Sequence, residues 1–409
     1  MMRHGPKFFV GGIFAVGMTT LAWAEPPVPA APRTASAPPI ARFHDLSALP
    51  PATTRSIYSV RSAGEWLYRM HQPNGSFFPG YNPAEKQAVS EDRLDRQLLA
   101  TIALAKVGRF TGDVRLTNRA KQSILALRAE TVMTADTPPL RVPNPCEDPA
   151  APPALVAALL AQAIYEVPDP DASLLADAEA LIRYVLSQQQ PDGSFPATDA
   201  LGCVRILQGL MLADQQKPDS ARRLALCRGL NWAITQFREK PSPPLAASLL
   251  PILNEVYRQG KDAPTATVAF QLADWVCDCQ YTRRDAPKLG WVGGFRTHPE
   301  LRATPEEPGA EAGIMTMGLA AATHLTRQVP HLTRYPKYRQ ATLDGLQFLA
   351  GLQFAQDSAP QIDPHIRNRY LLGGIAQSGS NWTVRPDSTA MLIFANLQYL
   401  QSGAETGSP

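Results

Sequence analysis

Three short segments of this 409-residue chain place carboxylates where they could move a proton. Ser90-Glu91-Asp92-Arg93-Leu94-Asp95-Arg96 sets Asp92 and Asp95, and likewise Arg93 and Arg96, one helical turn apart. Arg385-Pro386-Asp387-Ser388 follows Trp382 and carries the proline that favours a helix start. Pro305-Glu306-Glu307-Pro308, with Glu311 close behind, crowds three acids together. One carboxylate beside another can hold its proton toward neutral pH and serve as an acid. Asp92, Glu306, Glu307 and Asp387 are therefore the candidate acids and bases. Each also has an ordinary role open to it, since Ser90 to Asp92, Asp387 and the Glu306–Glu307 pair would all suit the start of a helix. Arg96 is expected inside a helix, where an unpaired charge is costly, and Asp92 at i, i+4 is its expected partner.

The residues around these acids suit a sugar. Tyr81, Trp291 and Trp382 offer flat faces for stacking. Arg96, Arg296 and Arg385 can grip an acidic group with two hydrogen bonds, and His298 stands between a glycine-rich turn and the acidic loop. Tyr81, Arg96, Trp291, Arg296, His298, Trp382 and Arg385 form the candidate substrate-binding set. Other chemistries find no support. The 39 Lys and Arg against 36 Asp and Glu leave no basic stripe, so nucleic acid is not an expected partner. There is no H-E-x-x-H, no G-x-S-x-G, no P-loop and no G-x-G-x-x-G. No cofactor or metal is expected, although calcium held by loop carboxylates and carbonyls stays open because such sites need no regular spacing.

The elements that must position these residues follow an N-terminal address. Arg3, His4 and Lys7 precede the apolar stretch Phe8 to Leu21, and Ala22-Trp23-Ala24 completes the three parts of a signal peptide over residues 1–24. That apolar stretch is too short to span a bilayer, and no later stretch is long and apolar enough. A periplasmic or extracellular protein without a membrane span after processing is expected. Residues 25–55 read as a Pro/Ala-rich tether, with eight prolines between positions 25 and 54. Residues 403–409 read as a disordered tail. Five cysteines in an oxidising compartment allow one or two disulfides of unknown pairing. Cys277 and Cys279 lie in a helical run where i and i+2 diverge, so buried structural cysteine is expected there and not a metal pair.

From residue 56 to 402, apolar residues recur at helical spacing between loops rich in Pro, Gly and Asp. The period places helices near 57–71, 91–109, 113–129, 151–165, 172–189 and 200–214. Six more fall near 219–238, 244–259, 264–280, 309–326, 336–354 and 387–401. Period-two alternation is nearly absent, so strands should be short and local. The loops repeat as well. Gln72-Pro-Asn-Gly-Ser-Phe77 and Gln190-Pro-Asp-Gly-Ser-Phe195 are nearly one hexapeptide, and Leu289-Gly-Trp-Val-Gly-Gly-Phe295 and Leu372-Gly-Gly-Ile375 occupy the same place later. A repeat with a helix-pair period implies neighbouring units that bury each other's faces.

A helix followed by Gln-x-x-(Asp/Asn)-Gly-Ser-Phe and then an apolar helix resembles the repeat of the squalene-cyclase and protein-prenyltransferase α/α-toroid superfamily. Gly293-Gly294-Phe295 is similar to the glycine pair of those repeats. The resemblance covers most of residues 57–401 and implies inner and outer helices stacked into a barrel with a site in the central cavity. Its catalytic motifs are missing: there is no D-x-D-D acid, and Asp274-Trp275-Val276 and Asp278-Cys279-Gln280 do not form the Asp-x-Cys zinc pair. Related (α/α)6 toroids include glycoside hydrolases, polysaccharide lyases and uronyl epimerases.

The expectation is an all-α (α/α)6 toroid of about twelve helices in six hairpins, with even-numbered helices inside. Its loops into those helices, over roughly 72–92, 140–150, 190–200, 239–244, 281–310 and 355–388, gather at one mouth and also bring Glu147, Asp148 and Asp199 there. The expected activity is that of a polysaccharide lyase, hydrolase or uronyl epimerase acting on a polysaccharide or oligosaccharide. A noncatalytic glycan- or protein-binding toroid is one alternative, and a terpenoid-cyclase-like enzyme with a divergent acid is another. The cyclase predicts an inner wall of aromatic and aliphatic side chains.

Overall fold

The computed structural model describes residues 39–42, 48–144, 151–299, 305–329 and 332–402. The expected signal peptide, most of the tether, the tail, Cys146, Glu147 and Asp148 lie outside these residues.

Helices α1 (Pro51–Met70), α2 (Leu94–Thr111), α3 (Val114–Ala129), α4 (Pro153–Glu166), α5 (Ala172–Gln188) and α6 (Ala200–Gln216) make the first half. The second half holds α7 (Ser220–Glu239), α8 (Pro243–Gly260), α9 (Ala263–Asp278), α10 (Ala312–Gln328), α11 (Tyr335–Leu352), the single turn α12 (Pro364–Ile366) and α13 (Pro386–Gln401). Two hairpins, β1 (Tyr81–Asn82) with β2 (Gln87–Ala88) and β3 (Thr131–Met133) with β4 (Arg141–Pro143), are the only paired strands among the described residues.

Composition decides which helices lie inside. Helix α4 reads Pro-Ala-Leu-Val-Ala-Ala-Leu-Leu-Ala-Gln-Ala-Ile-Tyr-Glu, and every residue after Pro153 is buried. A helix apolar on all sides belongs in the interior. Helix α3 buries only Leu116, Ala120, Ser123 and Ile124, the single stripe of an outer helix. Helices α2, α4, α6, α8, α10 and α13 pack in sequence, and α13 returns to α2, closing a ring of six. Each of α3, α5, α7, α9 and α11 leans on the inner helix before it in the chain, while α1 leans on α13. The chain's two ends thus supply the sixth pair. Turns from inner to outer helices are short. Asp113, Asp171, Asp219 and Asp262 cap α3, α5, α7 and α9, each accepting from a backbone amide at 2.8–3.0 Å.

The repeated loops prove to be staples between neighbouring outer helices. Gly75, Gly193, Gly293 and Gly373 all have φ between +90° and +96°. A Cβ on them would lie 2.7 Å from Ala126 Cβ on α3, and 2.3, 2.0 and 2.3 Å from the carbonyl oxygens of Arg228 (α7), Asp344 (α11) and Ser62 (α1). Only glycine meets both demands at once. A side-chain amide completes three of the four clamps. Gln189 Nε2 donates to the carbonyl of Ala225 at 2.9 Å, Gln280 to Ala341 at 2.9 Å and Gln353 to Ser59 at 3.2 Å, and each also donates to its own turn's glycine carbonyl. His71 replaces the glutamine in the first turn and meets Ser123 Oγ at 3.0 Å. The residues after the glycines, Phe77, Phe195, Phe295 and Ile375, are buried.

Three details differ from the sequence reading. Helix α1 begins at Pro51, because proline fixes a helical φ at the first position. Part of the expected tether is structured: Pro39–Arg42 forms a helical turn against α2, with Ile40 packed on the core. Cys203, Cys227, Cys277 and Cys279 are free thiols. Of the two expected as buried structural cysteines, Cys279 is fully buried and Cys277 only partly so, while Cys203 is also fully buried.

Candidate functional site

Loops running from outer to inner helices all open at the inner-helix N-termini, so the mouth lies there. Its floor is a chain of charges carried by α2, α6 and α13. Asp95 is buried and takes both Nε and Nη2 of Arg93 at 3.1 Å. Arg205 of α6 reaches Asp95 at 3.9 Å, linking helices on either side of α4. Burial lowers the Arg205 pKa, against the pull of Asp95, Asp199 and Asp387. Arg96 stands one turn past Asp92, yet its partners are Glu91, with Nη1 at 3.3 Å, and Asp387, with Nε at 3.5 Å. The expected Asp92–Arg96 pair is therefore corrected. Asp92 is exposed and accepts from Gln97 Nε2 at 2.7 Å, while Gln97 also clamps Phe77 of the first staple.

Asp387 lies in the first turn of α13 with 17% of its side chain exposed. The N-cap position belongs to Arg385, which makes no side-chain cap bond. Burial pushes the Asp387 carboxyl above the usual carboxylate range, and the nearby Arg96 and Arg385 charges pull back without prevailing. Its Oδ1 is buried with no hydrogen-bond partner, as are Arg385 Nε and Arg96 Nη1. Native structures seldom leave buried polar atoms so, and such atoms deserve a cause. Arg385 is held from behind. Gly80, at φ +142°, lets strand β1 approach so closely that a Cβ would lie 3.2 Å from the Arg385 stem and 2.4 Å from the Val384 carbonyl. Tyr81 and Val384 exchange backbone hydrogen bonds across that gap at 3.0 and 2.9 Å.

Across the mouth, the starts of α10 and α13 are stitched by residues 376–381. Ala310 N donates to the Gln377 carbonyl at 2.8 Å, and the Gln377 amide donates to Ser388 Oγ. Glu307 accepts from Ser378 Oγ at 2.9 Å and from Ser380, which holds its carboxyl below the ordinary range. Glu311, at the start of α10, is open to water yet raised in pKa, mainly by surrounding protein and then by Glu306. Two grooves of about 720 and 580 Å³ also flank α1 on the outer surface, and neither borders this cluster.

No protein-family model matches the sequence. No curated protein matches it either. Solved structures do. An unsaturated glucuronyl hydrolase specific for heparin superposes with a TM-score of 0.60 at 13% identity, over 85% of this chain and 97% of that one. A D-mannose isomerase gives 0.61 at 9% identity over 85% and 97%. An inactive, doubly aspartate-substituted α-1,6-mannanase of Salegentibacter sp. HEL1_6, in complex with α-1,6-mannotetrose, gives 0.58 at 11% over 84% and 98%. The fold is an α/α toroid, shared with these structures.

Within that toroid, the sequence-predicted residues divide. Arg96, Arg385 and Asp387 meet at the mouth, and Glu307 ties its rim. Glu306 is exposed, accepting from Thr297 Oγ1 and, through its carbonyl, from Tyr281, both at 2.9 Å. Trp382 remains partly open, with its Nε1 donating to the Gly379 carbonyl at 3.0 Å and Phe354 against its edge. Tyr81 is 6% exposed because Tyr370 stacks on it, centroids 4.6 Å apart at 8°, so that ring is spent on holding the loop. Arg296 is 3% exposed, paired with Asp285 and lying 4.2 Å over Tyr281. It fastens the loop after α9 and does not face the mouth as a free grip. Trp291 leans on Tyr281 under Lys288, and His298 packs edge-on to Trp275 of outer helix α9. Asp95, Arg205 and Glu311 were not among the chosen candidates. A lone arginine in the apolar run Gly202-Cys203-Val204-Arg205-Ile206-Leu207 was the signal for the second. Among the described residues, no group of three or more His, Cys, Asp or Glu could hold a metal, and no helix is long and apolar enough to cross a membrane.

Proposed function

We propose that this protein is an exported carbohydrate-active enzyme that acts on an oligosaccharide at the toroid mouth, with Asp387 as its acid. One observation carries the reading: a largely enclosed carboxyl whose pKa is raised by burial stands near two arginines, and each of the three groups has a buried polar atom that makes no hydrogen bond. In hydrolysis, Asp387 gives its proton to the glycosidic oxygen as the bond to the anomeric carbon breaks. Water then supplies hydroxide to that carbon and a proton to the basic group left behind. In elimination from a uronate, the same proton goes to the leaving oxygen while a base removes the proton beside the carboxylate. Epimerisation returns a proton to that carbon from the opposite face. Export rests on the charged, apolar and A-x-A parts of residues 1–24, and a mature N-terminus at Glu25 is expected on N-terminal sequencing.

The toroid neighbours act on or bind saccharides, which supports the class without selecting the bond. Kinship with the squalene-cyclase repeat is proposed for architecture alone. A wall bearing Asp95, Arg96, Arg205, Glu311 and Asp387 speaks against a carbocation-guiding pocket. The deciding experiment offers uronate-containing and neutral polysaccharides to the mature protein and follows new reducing ends and unsaturated-uronate absorbance. Asp387→Asn should abolish whichever product the wild type forms. Full activity in that variant would remove Asp387 from the mechanism.

A further inference from the structure

We propose that the mouth selects a sugar bearing a carboxylate, which enters by displacing Glu91 from Arg96; this rests on the site reading above. Arg96, like Arg205 at 3.9 Å from Asp95, is held more loosely than the tightest enclosed ion pairs of this molecule. Lys106–Glu166, Arg128–Asp177 and Arg141–Asp177 close at 2.6–2.7 Å. Arg96 is 14% exposed and comparably enclosed, yet holds Glu91 at 3.3 Å and Asp387 at 3.5 Å. A guanidinium fits a carboxylate best with two parallel bonds near 2.8 Å. Neither contact achieves this, and Nη1 makes no hydrogen bond at all.

Glu91 is the replaceable partner. Its side chain is 54% exposed, just ahead of α2, and it is one charge from the chain standing where a ligand's charge would fit. Exchanging it for a substrate carboxylate leaves the local charge unchanged, so the displacement costs little beyond the loss of a loose, solvent-screened contact. Asp387 cannot be exchanged in this way, because it is enclosed on α13. Arg385, braced by Gly80 and with its Nε making no hydrogen bond, lies near Asp387 as well. A uronate held through Arg96 would set its sugar ring beside the Asp387 carboxyl. Glu91 is then a placeholder that keeps Arg96 oriented and partly satisfied between turnovers.

The test uses a glucuronate-terminated disaccharide and its glucose-terminated counterpart, with binding measured by calorimetry at low salt. The wild type should prefer the uronate. Glu91→Gln should tighten uronate binding by about two- to fivefold and leave the neutral sugar unmoved. Arg96→Gln should erase the preference. Equal affinity of the wild type for both sugars, or a preference that Glu91→Gln leaves unchanged or weakens, overturns the proposal. Turnover of neutral sugars with no uronate preference would overturn the clamp and spare the enzyme. Uronate binding that obeys these predictions without turnover of any saccharide would do the reverse.

Discussion

A carboxyl oxygen buried without a donor is better served by a proton than by a charge, and Asp387 is in that state. The consequence for stability has a definite sign. A carboxyl whose folded pKa is raised contributes most below the unfolded value near 3.9, and that contribution is lost as pH climbs through the raised folded value. Asn, neutral throughout, does not lose it. Asp387→Asn should therefore match the wild type in thermal stability at acidic pH and gain on it toward neutrality, while turnover disappears. Such a trade marks a residue kept for chemistry. Thermal melts at stepped pH check it, and a variant less stable than the wild type at neutral pH would contradict the account. Glu307 is the opposite case: serine hydroxyls hold it ionised, so what it adds is present above its unfolded value and lost as pH falls through the folded one.

At the scale of elements, the staples explain why the hexapeptides recur. Gln280 satisfies two carbonyls, one in its own turn and one on the next outer helix, and Gly293 lets the two backbones touch. Gln280→Ala removes both bonds, leaving the Gly293 carbonyl without that donor while Ala341 keeps its helical one, and should cost about 1–3 kcal/mol. Gly293→Ala adds a strained φ to a Cβ 2.0 Å from the Asp344 carbonyl, and should cost at least as much. Urea denaturation at constant m-value measures both. A loss below about 0.5 kcal/mol for both would mean that the staples do not bear on the toroid. These elements were the most readable part of the sequence, because helix periodicity, Pro starts and Gly turns are local signals that packing did not overrule. The stapling amide was less readable. The hexapeptide draws attention to Gln190, whereas Gln189 makes the clamp, and His71 hides its equivalence to a glutamine. The site was half legible for a similar reason. Arg385 and Asp387 announce themselves at a helix start, but the Arg205–Asp95 link spans 110 positions of sequence and exists only once the ring is closed. Arg296 and Tyr81 had the right chemistry and were absorbed by loop packing, which residue type cannot foretell.

On the scale of the whole molecule, the outer ring is fastened unevenly. The turns after α1, α5, α9 and α11 staple α3, α7, α11 and α1, and the α3–α5 boundary is closed instead by Arg128 and Arg141 on Asp177. The boundary between α7 and α9 has neither device. Only residues 240–242 separate α7 from α8, too few for a staple, and there Phe237 packs edge-on to Trp275 at 5.2 Å. The inner ring is thinnest at the same place, since α6 and α8 touch least of the six neighbouring pairs. A toroid made of stacked units opens where the interface between neighbours is weakest. Native-state hydrogen exchange should therefore find the amides of α8 and α9 exchanging through an opening of lower free energy than those of α2, α4 and α13. Phe237→Ala removes a fully enclosed ring and should lower that opening energy further, by about 3–5 kcal/mol if the seam unfolds alone. If protection in α8 and α9 equals that of α2 and α4 in the wild type, the ring opens as one cooperative body and the seam has no independent existence. If α8 and α9 do exchange first, the break lies away from the α2–α13 contact that carries Arg96 and Asp387.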